Sequence, residues 1–424
     1  MINYNTLGNR LKIDLLNFSK KVTNKLTKTT QKFITDMVFG IISSNSCKLT
    51  EISRELKETI ALKKTVERLS RNLSGFSEQN TIMNHYLTVV KPFLDSDTML
   101  LVDSGDATKS CSPKMEAIGS VYDGSAGTYA DGYWTMGACA LSNETAHPIP
   151  VYENLYPCKK QGGLGFNFET KRCLQNLREN FTSDVPRIFD RGFDSGDIIA
   201  ELIDKNEKFI LRVNQNRVAV HNGRKSYIND IVRGLVCEHD LTFNSKTGNV
   251  SKCKIGITQI VLPNLKNLKL NLIVCKEFGE KPLILYSNIS ETIELIAARI
   301  VKAYLMRWRI EEFYAFKKQG FRFEDFRVRS LNSIKTLDLL VTIAAGFIGT
   351  LCEKVDTIKV FELIEVSKRI GKTFVFLKKT KLFFYAVLDG ITRVFSTLNR
   401  GIAYYFSPLP IDYQLCFPGL DFLG

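Results

Sequence analysis

At 424 residues, 44% hydrophobic and 24% charged, the chain is long enough for more than one core and too apolar to be disordered. A formal net charge of +14 and an isoelectric point near 9.2 exclude an acidic surface and favour a polyanionic partner, nucleic acid or an acidic membrane face. Ten cysteines stand singly and the four histidines (His85, His147, His221, His239) have no zinc-ligand spacing, which excludes a zinc module and points to reduced, cytoplasmic thiols.

The opening MINYNTLGNRLKIDLLNF lacks the apolar core of a signal peptide. Residues 1–95 read as an all-helical, basic domain, with 15 Lys and Arg against 8 Asp and Glu and no proline before Pro92. Within it, KLTEISRELKETIALKKTVERLSRNLS has the pattern of a helix-turn-helix. Thr50 is placed to cap a short helix, a polar break follows Leu56, and a second helix offers Lys63, Lys64, Arg68 and Arg71 to DNA.

From about residue 98 the apolar period becomes strand-like. TMLLVDSGD, GYWTMGACALS (132–142) and HPIPVYENLYP (147–157) read as strands, FNFETKRCLQNLRENF (166–181) as a helix, and PRIFDRG (186–192) as a short strand. DSGDIIAELIDKN (194–206) is a helix with acid at its positive dipole end, and KFILRVNQNR (208–217) a further strand. The expected layout is an α/β core beginning at 96–217, then a β-rich block over 218–286. The core's last helix falls within 287–328, and a helical region covers 329–424. In that region LLVTIAAGFIGTL (339–351) falls short of the ~18–20 apolar residues of a membrane span and reads as a buried helix.

Two carboxylates end apolar runs: Asp103 in MLLVD and Asp190 in RIFD. Active sites of open α/β sheets gather at the carboxyl ends of strands. Either acid alone is an ordinary turn former. Facing each other on neighbouring strands, the two repel unless a cation lies between them, and hard oxygen donors suit Mg²⁺ or Mn²⁺. Asp106, three residues after Asp103, is the alternative first acid. A long helix, 290–321, is expected to supply more. At about 100° per residue, Tyr304, Arg307, Glu311 and Lys318 fall within an arc of about 60°, whereas Glu312 points elsewhere, as an ordinary solvated residue.

The spacing Tyr304-x₂-Arg307-x₃-Glu311-x₆-Lys318, with Asp190 in FDRGFDSGDI and Asp103 in LLVDSGDATK, resembles the YREK signature and acid contexts of bacterial cut-and-paste insertion-sequence DDE transposases. The resemblance covers residues 98–325 and implies a ribonuclease H-like catalytic core interrupted by a β-rich insertion domain. It further implies that Asp103, Asp190 and Glu311 are catalytic and hold Mg²⁺, with Mn²⁺ able to substitute. Tyr304, Arg307 and Lys318 would contact DNA phosphates. The partners implied are double-stranded DNA, namely terminal inverted repeats and target, and a second copy of the chain, paired through the C-terminal helices in a synaptic complex. Relatives that pass through a DNA hairpin stack a flipped base on an insertion-domain aromatic, often Trp. Trp134 and Trp308 both lie outside that block, which leaves Phe243, Tyr227 or Phe278 for the task and the hairpin step open. The competing readings are a catalytically silent DNA-binding relic and a host nuclease of the same fold. Intact acids argue against the first, and strand-transfer products would discriminate the second.

Overall fold

The computed structural model describes the chain except for residues 1, 110–111, 113, 143–147, 245–249, 264, 266–267, 278–280, 290–292, 354–356, 368–381, 399 and 403–424. Five helices come first: α1 (Tyr4–Val22), α2 (Lys28–Ser44), α3 (Leu49–Glu55), α4 (Leu62–Ser74) and α5 (Gln79–Val90). Thr27 caps α2 by accepting from Thr30 N–H. The residue capping α3 is Lys48, without a side-chain bond, so Thr50 lies inside the helix and the expected Thr50 cap is corrected.

Strand β1 (Met99–Thr108) opens the sheet, followed by β2 (Gly119–Asp123), β3 (Thr128–Leu141) and β4 (Ile149–Tyr156). Helix α6 (Phe166–Asn180) leads to β5 (Arg187–Phe189), and α7 (Gly196–Asp204) to β6 (Phe209–Arg212). Across the middle of the sheet the order is β4-β3-β1-β5-β6, with β3 antiparallel to both β1 and β4, and β1, β5 and β6 parallel. Leu100, Leu101, Val102, Ile188 and Phe189 are fully buried, as strands covered on both faces require. Each such side chain contributes roughly 1.5–3 kcal/mol.

The chain continues through β7 (Val218–His221), β8 (Arg224–Tyr227), α8 (Ile228–Gly234), β9 (His239–Asn244), β10 (Val250–Leu262), β11 (Leu268–Lys276) and β12 (Leu283–Ser287). These strands were expected as a block interrupting the core. They are continuous with its sheet, because β12 pairs antiparallel with β6, Tyr286 opposite Leu211. The result is one mixed sheet of 12 strands.

The predicted single helix at 290–321 is two helices. α9 (Ile293–Leu305) passes through a 3₁₀ turn, Met306–Trp308, into α10 (Arg309–Gly320). The tighter 3₁₀ winding advances more per residue than an α-helix, so helical-wheel arithmetic fails across the turn.

Helix α11 (Leu331–Glu353) is followed by α12 (Thr357–Ser367) and α13 (Leu382–Ser396). Residues Leu331–Cys352 are long and apolar enough to cross a membrane, but 94% of their most apolar window is buried inside the protein. The full helix is therefore longer than its apolar run suggested, and buried as expected. It packs on β4 and α2, while α13 packs on α1 and α2. Ring pairs Phe18–Phe347 (5.3 Å) and Phe39–Phe395 (5.1 Å) join the N-terminal helices to α11 and α13 in one core.

Candidate active site

The two aspartates meet where the parallel pairing of β1 and β5 ends. Val102 lies opposite Phe189, and Asp103 and Asp190 are each the next residue. Asp103 does not close its strand as expected. Pairing with β3 carries β1 on to Thr108, so what ends at Val102 is only the pairing with β5. The register nonetheless sets Asp103, not Asp106, level with Asp190, while Asp106 is bound to Lys318 Nζ at 2.5 Å.

Arg307, on the 3₁₀ turn, donates from Nη1 to Asp103 Oδ2 at 2.6 Å and from Nη2 to Glu311 Oε1 at 2.7 Å. Tyr304, in the last turn of α9, donates to Asp190 Oδ1 at 3.2 Å. Arg212 at the end of β6 stands 3.8 Å from the same oxygen. Three acids from three elements therefore surround one guanidinium. Burial pushes the Asp103 carboxyl up to about 6; Arg307 and the Ser104 N–H oppose the shift, and Asp190 and Glu311 add to it. The Tyr304 phenol is likewise raised to about 12 by burial and by Asp190. Arg307 is raised despite its burial, because Asp103 and Asp190 favour its charge.

Of the expected stripe, Tyr304, Arg307 and Lys318 bond carboxylates, whereas Glu311 is itself one of the acids and its side chain is 50% exposed. Lys318 bonds Asp106 and lies 3.0 Å from Glu324 Oε1, and Tyr304 is 6% exposed. Without DNA, Arg307 and Lys318 are thus engaged by carboxylates of the protein itself. Glu312 is corrected too: its side chain is 9% exposed and bonds Arg309 at 2.8 Å. Among the described residues, no three His, Cys, Asp or Glu side chains are gathered closely enough to hold a metal ion as they stand. Arg307 occupies the position between Asp103 and Glu311.

Behind the acids lies a set of residues that carried no recognised motif in the sequence. Asp103, Gly137 and Glu153 form one row across β1, β3 and β4. Tyr314 lies over Gly137 and donates to the Asp103 carbonyl at 2.9 Å. A Cβ at Gly137 would stand 2.4 Å from Glu153 Oε2 and 2.5 Å from the Tyr314 hydroxyl, so only glycine leaves room. Lys317, 3% exposed, donates to Glu153 Oε1 at 2.7 Å and also pairs with Asp338 of α11. The signal for Lys317 was its spacing: four residues after Phe313, it shares the apolar side of α10.

In the N-terminal helices the four proposed DNA contacts separate. Arg68 forks onto Glu58 at 2.8 Å and reaches the fully buried Asp36 at 3.0 Å, so it ties α4 to α2. Lys63 and Lys64 project outward, their side chains 86% and 72% exposed, and Arg71 is exposed as well. Of the aromatics named for a flipped base, Tyr227 is 56% exposed, while Phe278 and the Phe243 side chain lie outside the described residues.

Residues 169–347 match a family model described as a transposase DDE domain. No curated protein matches the chain. Among solved structures, a piggyBac transposase synaptic complex with hairpin DNA is similar over 97% of this chain and 84% of its own, at 10% identity and a TM-score of 0.45. Over the stretch that supplies Asp190, Tyr304, Arg307, Glu311 and Lys318, the chain is similar to the DDE domain of transposases.

Proposed function

We propose that the chain is a DDE transposase that binds the ends of its own insertion sequence, cleaves the DNA there and joins the freed 3′-OH to target DNA. The observation that carries this reading is the convergence of Asp103 in β1, Asp190 just after β5 and Glu311 in α10 around Arg307. The strand order β4-β3-β1-β5-β6 supports a ribonuclease H-like core, with Asp103 and Asp190 where the parallel pairing of β1 and β5 ends.

The donor set fits divalent cations. All three side chains offer hard carboxylate oxygens, and a cation, the guanidinium, already balances them. Asp103, Asp190 and Glu311 would hold Mg²⁺ or Mn²⁺ once Arg307 releases Asp103 and Glu311. Bound there, the ions supply activation of a water or hydroxyl at the scissile phosphate and stabilisation of the leaving 3′ oxygen.

The protein's own contribution is positional. The Tyr304 hydroxyl fixes Asp190, the Tyr314 hydroxyl fixes the backbone at Asp103, and the Ser104 N–H orients its carboxylate. Freed from the acids, Arg307 turns its fork to a phosphate. An incoming oxygen forms a bond to phosphorus as the bond to the 3′ oxygen breaks. Cleavage thereby leaves a 3′-OH that repeats the attack on target DNA, and the chain supplies no nucleophile of its own. A homodimer on two DNA ends completes the reaction.

The test is incubation of the full chain with plasmid carrying the DNA that flanks its gene, with Mg²⁺ and with EDTA. Cleavage at the repeat boundary and joined products are expected only with Mg²⁺. Binding without cleavage under any divalent ion would leave a silent DNA-binding protein, and cleavage without joining a nuclease.

A further inference from the structure

A cleft of about 500 Å³ lies where the start of α3, the residues after β1 and the 325–329 segment adjoin. Lys48, Lys109, Lys114, Arg327 and Arg329 line it, against the single carboxylate of Asp325. That carboxylate is already engaged by Lys48 at 3.0 Å and Arg322 at 2.8 Å. Lys114, Arg327 and Arg329 are exposed and have no ion pair among the described residues. Lys109 is anchored, its ammonium bonded to the Glu324 carbonyl and lying 4.7 Å over the Phe326 ring. Burial lowers the Lys109 pKa; Asp325 and Glu324 oppose that shift, and Arg327 and Lys48 add to it. Five cations around one engaged carboxylate leave the cleft with a positive excess that suits an anion.

We propose that this cleft holds the phosphate backbone of DNA outside the catalytic centre, an inference that rests on the transposase reading. Two features favour an extended polyanion over a small one. The unpaired cations lie on both the β1 side (Lys114) and the 327–329 side (Arg327, Arg329) of the cleft. Its wall is also continuous with the active site: the Glu324 carboxylate accepts from Thr108 N–H at 2.8 Å and from Lys318, which holds Asp106. Lys109 follows Asp103 by six residues along or just past β1, about 20 Å of extended chain. One strand of a duplex advances about 3.4 Å per phosphate, so the cleft lies roughly six base steps from the acids. Binding there sets the register of the strand without reading its sequence.

The test uses the full chain and two fluorescent duplexes of equal length, one from the element's end and one unrelated, with Kd measured against NaCl concentration. Arg327→Glu/Arg329→Glu is expected to weaken binding of both duplexes at least tenfold at low salt. It should also lower the log–log salt slope by about two, roughly one for each phosphate that is no longer neutralised. Arg327→Lys/Arg329→Lys should restore most of the slope. Should the charge reversal fail to fold, Arg327→Gln/Arg329→Gln is judged by the same slope. An unchanged slope in a folded variant overturns the inference, and so does a weakening confined to one duplex. If the wild type still cuts and joins DNA in that case, the transposase reading stands and only the cleft's role fails. A wild type that binds through the cleft but never cuts fails the transposase reading and leaves the cleft's role intact.

Discussion

Arg307 does at the residue scale what the sequence assigned to DNA phosphate: it neutralises Asp103 and Glu311. Removing one partner of a buried pair strands the others, at a cost of about 3 kcal/mol or more. Arg307→Ala is therefore expected to lower the thermal midpoint in EDTA. Mg²⁺ should raise that midpoint further in the variant than in the wild type, because a cation can take over the charge. Equal Mg²⁺ shifts in a scanning calorimeter would show that the acids do not share the ion. Asp190→Asn should abolish strand cleavage while DNA binding, followed by anisotropy, persists. Lys318→Ala, which unpairs Asp106 and Glu324, should leave the salt slope of DNA binding nearly intact, in contrast to Arg327 and Arg329.

Helix α10 is held to the sheet through Tyr314 and through Lys317 between two buried acids. Burial raises Glu153 from 4.5 to about 7; Lys317 opposes that shift, and Asp338 adds to it. With its folded value above its unfolded one, the native state binds the extra proton between these limits. The Glu153 contribution to stability therefore falls as pH rises from about 4.5 to 7. Thermal melts of Glu153→Gln should show a shallower loss across that window than the wild type. Lys317→Met, which leaves both carboxylates unpaired, should cost about 3–5 kcal/mol, far more than Asp338→Asn.

The strands carrying the two aspartates were legible because an apolar run followed by aspartate is a local pattern, as in MLLVD and RIFD, although β1 itself continues to Thr108. The Tyr304–Lys318 spacing was legible as a motif, but its surroundings were not. Periodicity does not distinguish a 3₁₀ turn from the helix on either side, and composition does not distinguish a lysine buried between acids from one in water. Gly137 gave no signal of its own, since its role depends on Tyr314 packing from a distant helix.

At the scale of the molecule, the pairing of β12 with β6 was illegible for the same reason: strand partners far apart in sequence leave no local trace. That pairing also puts the core and the β-rich block on one continuous sheet. A proline in β12 at Leu285, whose neighbours Tyr286 and Ser287 pair with Leu211 and Ile210, should lower stability and abolish cleavage together. Circular dichroism and a nicking assay on the same preparation would check this.

The site also has a history in time. Asp103 and Arg307 are 204 residues apart, so on a ribosome adding ~5–20 residues per second the first acid waits roughly 10 to 40 seconds for its partner. During that interval the β6 edge is open, because β12 has not been made. The apolar sides of α1 and α2 still lack α11 and α13. A nascent or prematurely ended chain is thus sticky and inert.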